Sequence, residues 1–164
     1  MNTSVGNRQG LRVVNPPRDP QPGTVRRKQS YRAPRARGNG PLVYVASDQA
    51  SRVLFTRIAQ RWVQMHLLVA QGARQGVQLA KERHPRLVVV EGRLPDADAV
   101  ETVARLRRRV LPLSVPIVVL HDDDSPAARA RFLWAGANAY ITRPLNVARI
   151  DRTVTDLLGV EALW

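Results

Sequence analysis

Residues Leu87 to Asp98 read LVVVEGRLPDAD, and this stretch decides the fold. A short, β-branched apolar run ends in a carboxylate, Glu91, and then enters a loop carrying Leu94, Pro95 and Asp96. A run with no polar alternation suits a strand buried on both faces of a parallel sheet. Such strands need crossover helices, so helical patterns are expected on either side.

They are there. Leu42–Ala46 reads as a buried strand, and Gln49–Trp62 follows as a helix with Val53, Leu54, Ile58 and Trp62 near 3.6-residue spacing. Leu67–Ala70 is a second strand and Gly72–His84 a second helix. After Leu87–Glu91 comes a helix over Asp98–Val110, then a strand over Pro116–His121. Ser125 and Pro126 open the next helix as N-cap and first-turn proline, and Gly136 stops it. Ala139–Thr142 is the last strand, and Asn146 caps a final helix that runs to about Leu158. Five strand–helix repeats with short connections predict a doubly wound α/β sandwich around a five-stranded parallel sheet. Spacing alone leaves the strand order open.

Open sheets of this kind bind ligands at the carboxyl ends of their strands. Those ends carry Ala46, Ser47 and Asp48, then Glu91, His121 and Arg143. There are no cysteines, so neither a disulfide framework nor a thiolate metal site is available.

Three segments, PRLVVVEGRLPDAD (Pro85–Asp98), VPIVVL (Val115–Leu120) and AGANAYITRPL (Ala135–Leu145), resemble the receiver domain of bacterial response regulators. The resemblance covers Pro41 to Gly159 and implies the flavodoxin-like strand order 2-1-3-4-5. It also implies where the family's chemistry would sit. The acidic pair that holds Mg²⁺ matches Ala46 and Ser47, with Asp48 one place further on. The phosphoacceptor aspartate matches Glu91, the hydroxyl residue after the fourth strand matches His121, and the lysine before the last proline matches Arg143. The glycine closing the acceptor loop matches Ala99, and the family's switch aromatic matches Tyr140.

These departures predict that Mg²⁺ binding and phosphoryl transfer are lost. Mg²⁺ asks for hard oxygen ligands in octahedral array, and alanine and serine bring no charge. Phosphoryl transfer depends on in-line positioning and on neutralising the transferring oxygens. Two readings of the altered pocket stand side by side. Arg143 grips Glu91 as an ion pair that fixes one conformation without phosphate, or the positions drifted once the acids were gone. His121 reads as a histidine hydrogen-bonded to a loop, or as a pH-responsive group. Asp122–Asp124 read as a solvated acidic loop near a helix N-terminus, with metal binding as the lesser alternative, and His66 and His84 as surface or strand-edge residues.

In the family, the face of the fourth helix, last strand and last helix serves docking and dimerisation. Phe132 and Trp134 fall on that helix; one is expected in the core and the other in solvent as an anchor beside Tyr140. Trp164 is either a docking residue or a chain end. Arg105, Arg107, Arg108 and Arg109 crowd the end of the third helix, where the helix dipole favours cations. A solvated face is the first reading and a nucleic-acid patch the second.

The 164 residues carry a formal charge of +13. Residues 1–40 are rich in Pro, Gly and Arg without apolar period, and hold nine Arg or Lys against one acid, Asp19. This segment is expected to be a disordered basic arm, with the receiver-like domain over residues 41–160 and a short end at 161–164. Arg26, Arg27, Lys28, Arg32, Arg35 and Arg37 suit a phosphate backbone, with Tyr31 available to stack on a base; the plainer reading is a solubilising arm. No signal peptide or membrane span is evident, so a cytoplasmic location is expected. The expected whole is a non-enzymatic, stand-alone module without a helical DNA-binding output domain. It acts through protein contacts in a two-component or regulatory pathway, with a histidine kinase or another regulator as partner and a homodimer as one arrangement. An adaptor held on nucleic acid by the arm is the alternative, and a residual phosphoacceptor using Glu91 is the third reading.

Overall fold

A computed structural model describes residues 40–62 and 65–159. The basic arm through Gly38, including Arg26, Arg27, Lys28, Arg32, Arg35 and Arg37, and Trp164 lie outside the described residues.

Ten elements alternate: β1 (Leu42–Val45), α1 (Gln49–Ala59), β2 (Leu67–Ala70), α2 (Ala73–Arg83), β3 (Leu87–Glu91), α3 (Ala99–Arg109), β4 (Ile117–His121), α4 (Pro126–Ala135), β5 (Ala139–Thr142) and α5 (Val147–Leu158). All strand pairs are parallel and the order is β2-β1-β3-β4-β5. Strand residues alternate between two cores, as the pleat requires. Leu42, Tyr44, Leu87, Val89, Val118 and Leu120 meet α1 and α5 on one face. Val43, Val45, Val88, Val90, Ile117 and Val119 meet the helices of the other face, through residues such as Ala80, Val103, Leu106 and Phe132.

The first helix differs from the periodic reading. Its buried side is Phe55, Ile58 and Ala59, with Trp62 just beyond its end, while Val53 and Leu54 are exposed. The stripe begins at Phe55 because that ring stacks on Tyr44 of β1 at a centroid distance of 4.1 Å. An aromatic ring brings more buried area to the sheet than either aliphatic neighbour. The helix stops at Ala59, three residues short of the expected end.

Caps follow the sequence closely. Asp48, Asp98, Ser125 and Asn146 each accept a backbone N–H from the first turn of their helix. The exception is α2, whose N-cap is Gly72 with no capping side chain of its own. Asp96 supplies one from the loop after β3, accepting from Ala73 N at 2.8 Å and Arg74 N at 3.0 Å. Gly72 has to be glycine here, because a Cβ would stand 2.6 Å from Asp96 Oδ1. The Pro-Asp loop is therefore also the cap of the preceding helix.

Arg107 corrects the reading of the third helix end as a uniformly solvated face. Its Nε donates to Gly136 O at 3.1 Å, Nη1 to Pro112 O and Val115 O at 3.1 and 3.0 Å, and Nη2 to Asn138 Oδ1 at 2.7 Å. One guanidinium thus ties the end of α3 to the approach to β4 and to the α4–β5 turn. Gly136, at φ 114°, adopts a left-handed conformation against the Arg107 stem.

Two outcomes follow. Arg107→Ala removes the donor from two part-buried carbonyls, Gly136 O and Val115 O, and is expected to lower stability by about 2–3 kcal/mol, read from urea denaturation, with Arg107→Lys recovering only part. Hydrogen bonds from Arg74 and Ala73 hold the Asp96 carboxyl below its usual range. A depressed native pKa means stability present above the unfolded value and lost as pH falls through the native one. Asp96→Asn should therefore weaken the fold at neutral pH and flatten the fall in stability below about pH 4, measured as urea midpoints across pH.

Candidate functional site

The parallel sheet delivers Ala46, Glu91, His121 and Arg143 to one edge, and Glu91 is the group everything else answers to. It ends a strand in which all five residues are buried. A carboxylate there must be matched by donors or stay protonated. Two donors meet it at one oxygen. The Tyr44 hydroxyl donates to Glu91 Oε1 from the adjacent strand. Arg143 Nη2 donates to the same oxygen at 2.6 Å. Arg143 Nη2 also reaches Ser51 Oγ in α1 at 3.0 Å, and its Nε lies 3.3 Å from Asp122 Oδ1. Asp122 in turn faces Arg93 at 3.7 Å. Charges alternate along this chain, from Glu91 to Arg143 to Asp122 to Arg93.

The local folding explains the placement. Tyr44 and Glu91 sit on the same face of neighbouring strands, because Tyr44 pairs with Val89 and the pleat returns two residues later. Arg143 immediately follows β5, and its peptide to Pro144 is cis. The ionisation behaviour agrees with the geometry. Burial, and then the Glu91 charge, raise the Tyr44 pKa far above the ordinary phenol value, so the phenol is a donor. Burial alone would lower the Arg143 pKa, but the hydrogen bond to Glu91 and its charge outweigh that and raise it.

The remaining positions are placed as follows. Ala46 is fully buried and Ser47 is exposed, with its carbonyl turned to Arg52. Asp48 is spent on Ser51 N at 2.6 Å, a bond that lowers its pKa. His121 does not join the Glu91 cluster by any hydrogen bond among the described residues. Its Nδ1 accepts from Asp123 N at 2.8 Å, so the imidazole closes its own loop. Its ring lies over Gly92, where a Cβ would stand 1.7 Å from Cδ2. Phe132 and Tyr140 flank it, at centroid distances of 5.6 and 6.1 Å. Tyr140 is buried and its hydroxyl donates to Asp123 O, while Arg129 stands over its ring at 5.1 Å. Phe132 is core and Trp134 is 89% exposed. His84 is exposed and forms the left-handed C-cap of α2.

Sequence reading missed Tyr44, Ser51, Arg93 and Asp122 as members of the site. Tyr44 had a usable signal: a lone phenol in an otherwise aliphatic buried strand has to find an acceptor. Asp122 had less, since three consecutive aspartates do not say which one meets Arg143.

Residues 43–155 match the model of the response regulator receiver domain. The phosphate regulon transcriptional regulatory protein PhoB of Pseudomonas aeruginosa is 25% identical over 107 residues, covering 65% of this chain and 47% of that protein. The KDP operon transcriptional regulatory protein KdpE of Escherichia coli is 27% identical over 109 residues, covering 66% and 47%. The chain thus spans about half the length of these regulators. Among solved structures, a CheY-like receiver domain protein from Methanospirillum hungatei superposes with a TM-score of 0.65 at 20% identity, over 73% of this chain and 94% of that one. The receiver domain of the sensor histidine kinase PA1611 from Pseudomonas aeruginosa, which carries a coordinated magnesium ion in its active site cleft, gives 0.66 at 20% identity over 75% and 100%. With more than half its length matched by the family model and the five-stranded fold in place, the chain belongs to the response regulator receiver domain family.

Proposed function

We propose that this receiver domain is a signalling module that works without phosphorylation, its pocket held in one state by the Glu91–Arg143 pair, and that it acts by docking to protein partners. The single observation that carries the reading is the 2.6 Å contact between Arg143 Nη2 and Glu91 Oε1, made where the family performs phosphoryl chemistry.

The residues present do not fit a magnesium ion. A buried methyl, Ala46, and the neutral Ser47 stand where the family sets its acids. Asp48 is committed to capping α1. Among the described residues, no three His, Asp or Glu side chains come together as a metal site. Glu91, the one carboxylate ending β3, is already paired with the Arg143 guanidinium. Glu91 Oε1 is shared between a phenol and a guanidinium, which lowers its reach as a nucleophile. No phosphoryl step is assigned to it.

Docking is assigned to the α4 side. Trp134 presents nearly its whole ring to solvent beside the half-exposed Leu133, whereas Phe132 and Tyr140 anchor the helix from below. A large aromatic of this kind is the usual energetic centre of a protein interface. The solved complex of the histidine phosphotransfer signaling protein Ypd1 with the receiver domain of Ssk1, from Saccharomyces cerevisiae, supports a phosphotransfer protein as the kind of partner. A second copy of the chain is the other arrangement. Among the described residues, no helix is long and apolar enough to cross a membrane.

Two measurements test the reading. On adding Mg²⁺ and then beryllofluoride to the full chain, amide NMR signals of Gly92, Asp122 and Arg143 should stay in place; saturable shifts confined to them would restore the phosphoacceptor reading. Arg143→Ala should lower stability by roughly 2–3 kcal/mol, below the range for a fully buried pair, because the Arg143 side chain is 25% exposed. Arg143→Lys should recover part of this, and an unchanged urea midpoint in the alanine variant would favour drift.

A further inference from the structure

The outer side of α3 carries a charge arrangement that neither the fold nor the pocket uses. Ala99, Thr102, Val103 and Leu106 face the core, and Arg107 turns into the clamp on the neighbouring loops. That leaves Arg105, Arg108 and Arg109 exposed at i, i+3 and i+4, on one side of the helix. None of the three makes an ion pair with a described carboxylate. They line an open hollow of about 590 Å³ that runs over two turns of the helix with Glu101 and Ala104. Glu101 is the only acid lining it, and it sits in the first helical turn, where the dipole favours it.

The helix dipole accounts for a cation in the last turn, but not for three like charges close enough to repel one another. Such a group is stabilised by an extended polyanion that passes several negative charges along the helix. We propose that this face of α3 is a contact for the phosphate backbone of nucleic acid, made by Arg105, Arg108 and Arg109. Guanidinium forks match phosphate oxygens and bind them in pairs. The hollow is open along its length, as a continuous backbone needs, rather than closed around one phosphate group. Its lining offers no large apolar side chain, so nothing there would insert into a bilayer surface. The chain's net charge of +13 supplies the long-range attraction. The contact is sequence-independent, since phosphates carry no base identity. It also stands apart from the pocket: beryllofluoride shifts would overturn the locked-pocket reading and leave this one untouched.

The test is binding of a short fluorescent DNA duplex to the full chain across a range of salt. Replacing the three arginines together (R105Q, R108Q, R109Q) should weaken binding about tenfold near physiological salt. It should also reduce the slope of log Kd against log salt by about 2–3, one backbone contact being worth about 0.9. The corresponding triple lysine variant keeps the charge and should stay near the wild-type slope. All three side chains are exposed, so the urea midpoint should be unchanged in both variants. Wild-type affinity and slope in the glutamine variant would overturn the proposal and leave any binding to the arm. So would failure of the full chain to bind DNA, whether or not it binds vesicles containing phosphatidylserine.

Discussion

A carboxylate at the end of a buried strand has to be answered, and the answer given to Glu91 organises the carboxyl edge of this sheet. Glu91 is 8% exposed, which excludes water as its main partner. A phenol from β1 and a guanidinium from the end of β5 take that role. The strands that supply them lie on opposite sides of β3, with β4 between β3 and β5. Their meeting at one oxygen therefore ties three parts of the sheet edge together. Asp122 then balances Arg143 from the loop after β4. Removing Arg143 would leave the Glu91 carboxylate without a matching charge in a place where water reaches poorly.

The same logic of donated partners recurs away from the pocket. Asp96 caps a helix it does not belong to, and Arg107 serves carbonyls on two other loops. In both cases a charged side chain satisfies backbone groups that the local sequence leaves open, as Gly72 does at the start of α2. The loops of this sandwich are thus held by ionic side chains aimed at backbone groups, while the core is held by apolar packing. His121 fits the pattern: its ring fills the space that Gly92 vacates, and its nitrogen receives the backbone N–H of Asp123.

Much of this was legible before any coordinates. Strand identity followed from apolar runs that have no other use, and the caps at Asp98, Ser125 and Asn146 are local features with local causes. What escaped was non-local. The buried side of α1 is set by a ring in β1 that Phe55 stacks on, so periodicity chose Val53 and Leu54 instead. Arg107 looks like its neighbours Arg108 and Arg109 in sequence, and only the position of Gly136 and Asn138 in space separates them. In the pocket, Glu91 and Arg143 were readable as a pair because the resemblance put both at one edge. Tyr44, Ser51 and Asp122 required the register of β1 against β3 and the path of the loop after β4.

The separation of Arg107 from Arg105, Arg108 and Arg109 also changes what the basic charge of the folded part means. Arginines grouped by sequence split into one with several acceptors and three with none among the described residues. A cation whose donors are filled by carbonyls cannot release a counterion to bind a phosphate, whereas an exposed, unpaired one can. The pocket sorts its charges in the same way. Arg143 gives its Nη2 to Glu91 and Ser51 and sets its Nε against Asp122. Charge that is satisfied internally fixes conformation, and charge left over determines partners. The three exposed arginines of α3 thus differ from Arg143 at the carboxyl end of the sheet, which is paired with Glu91.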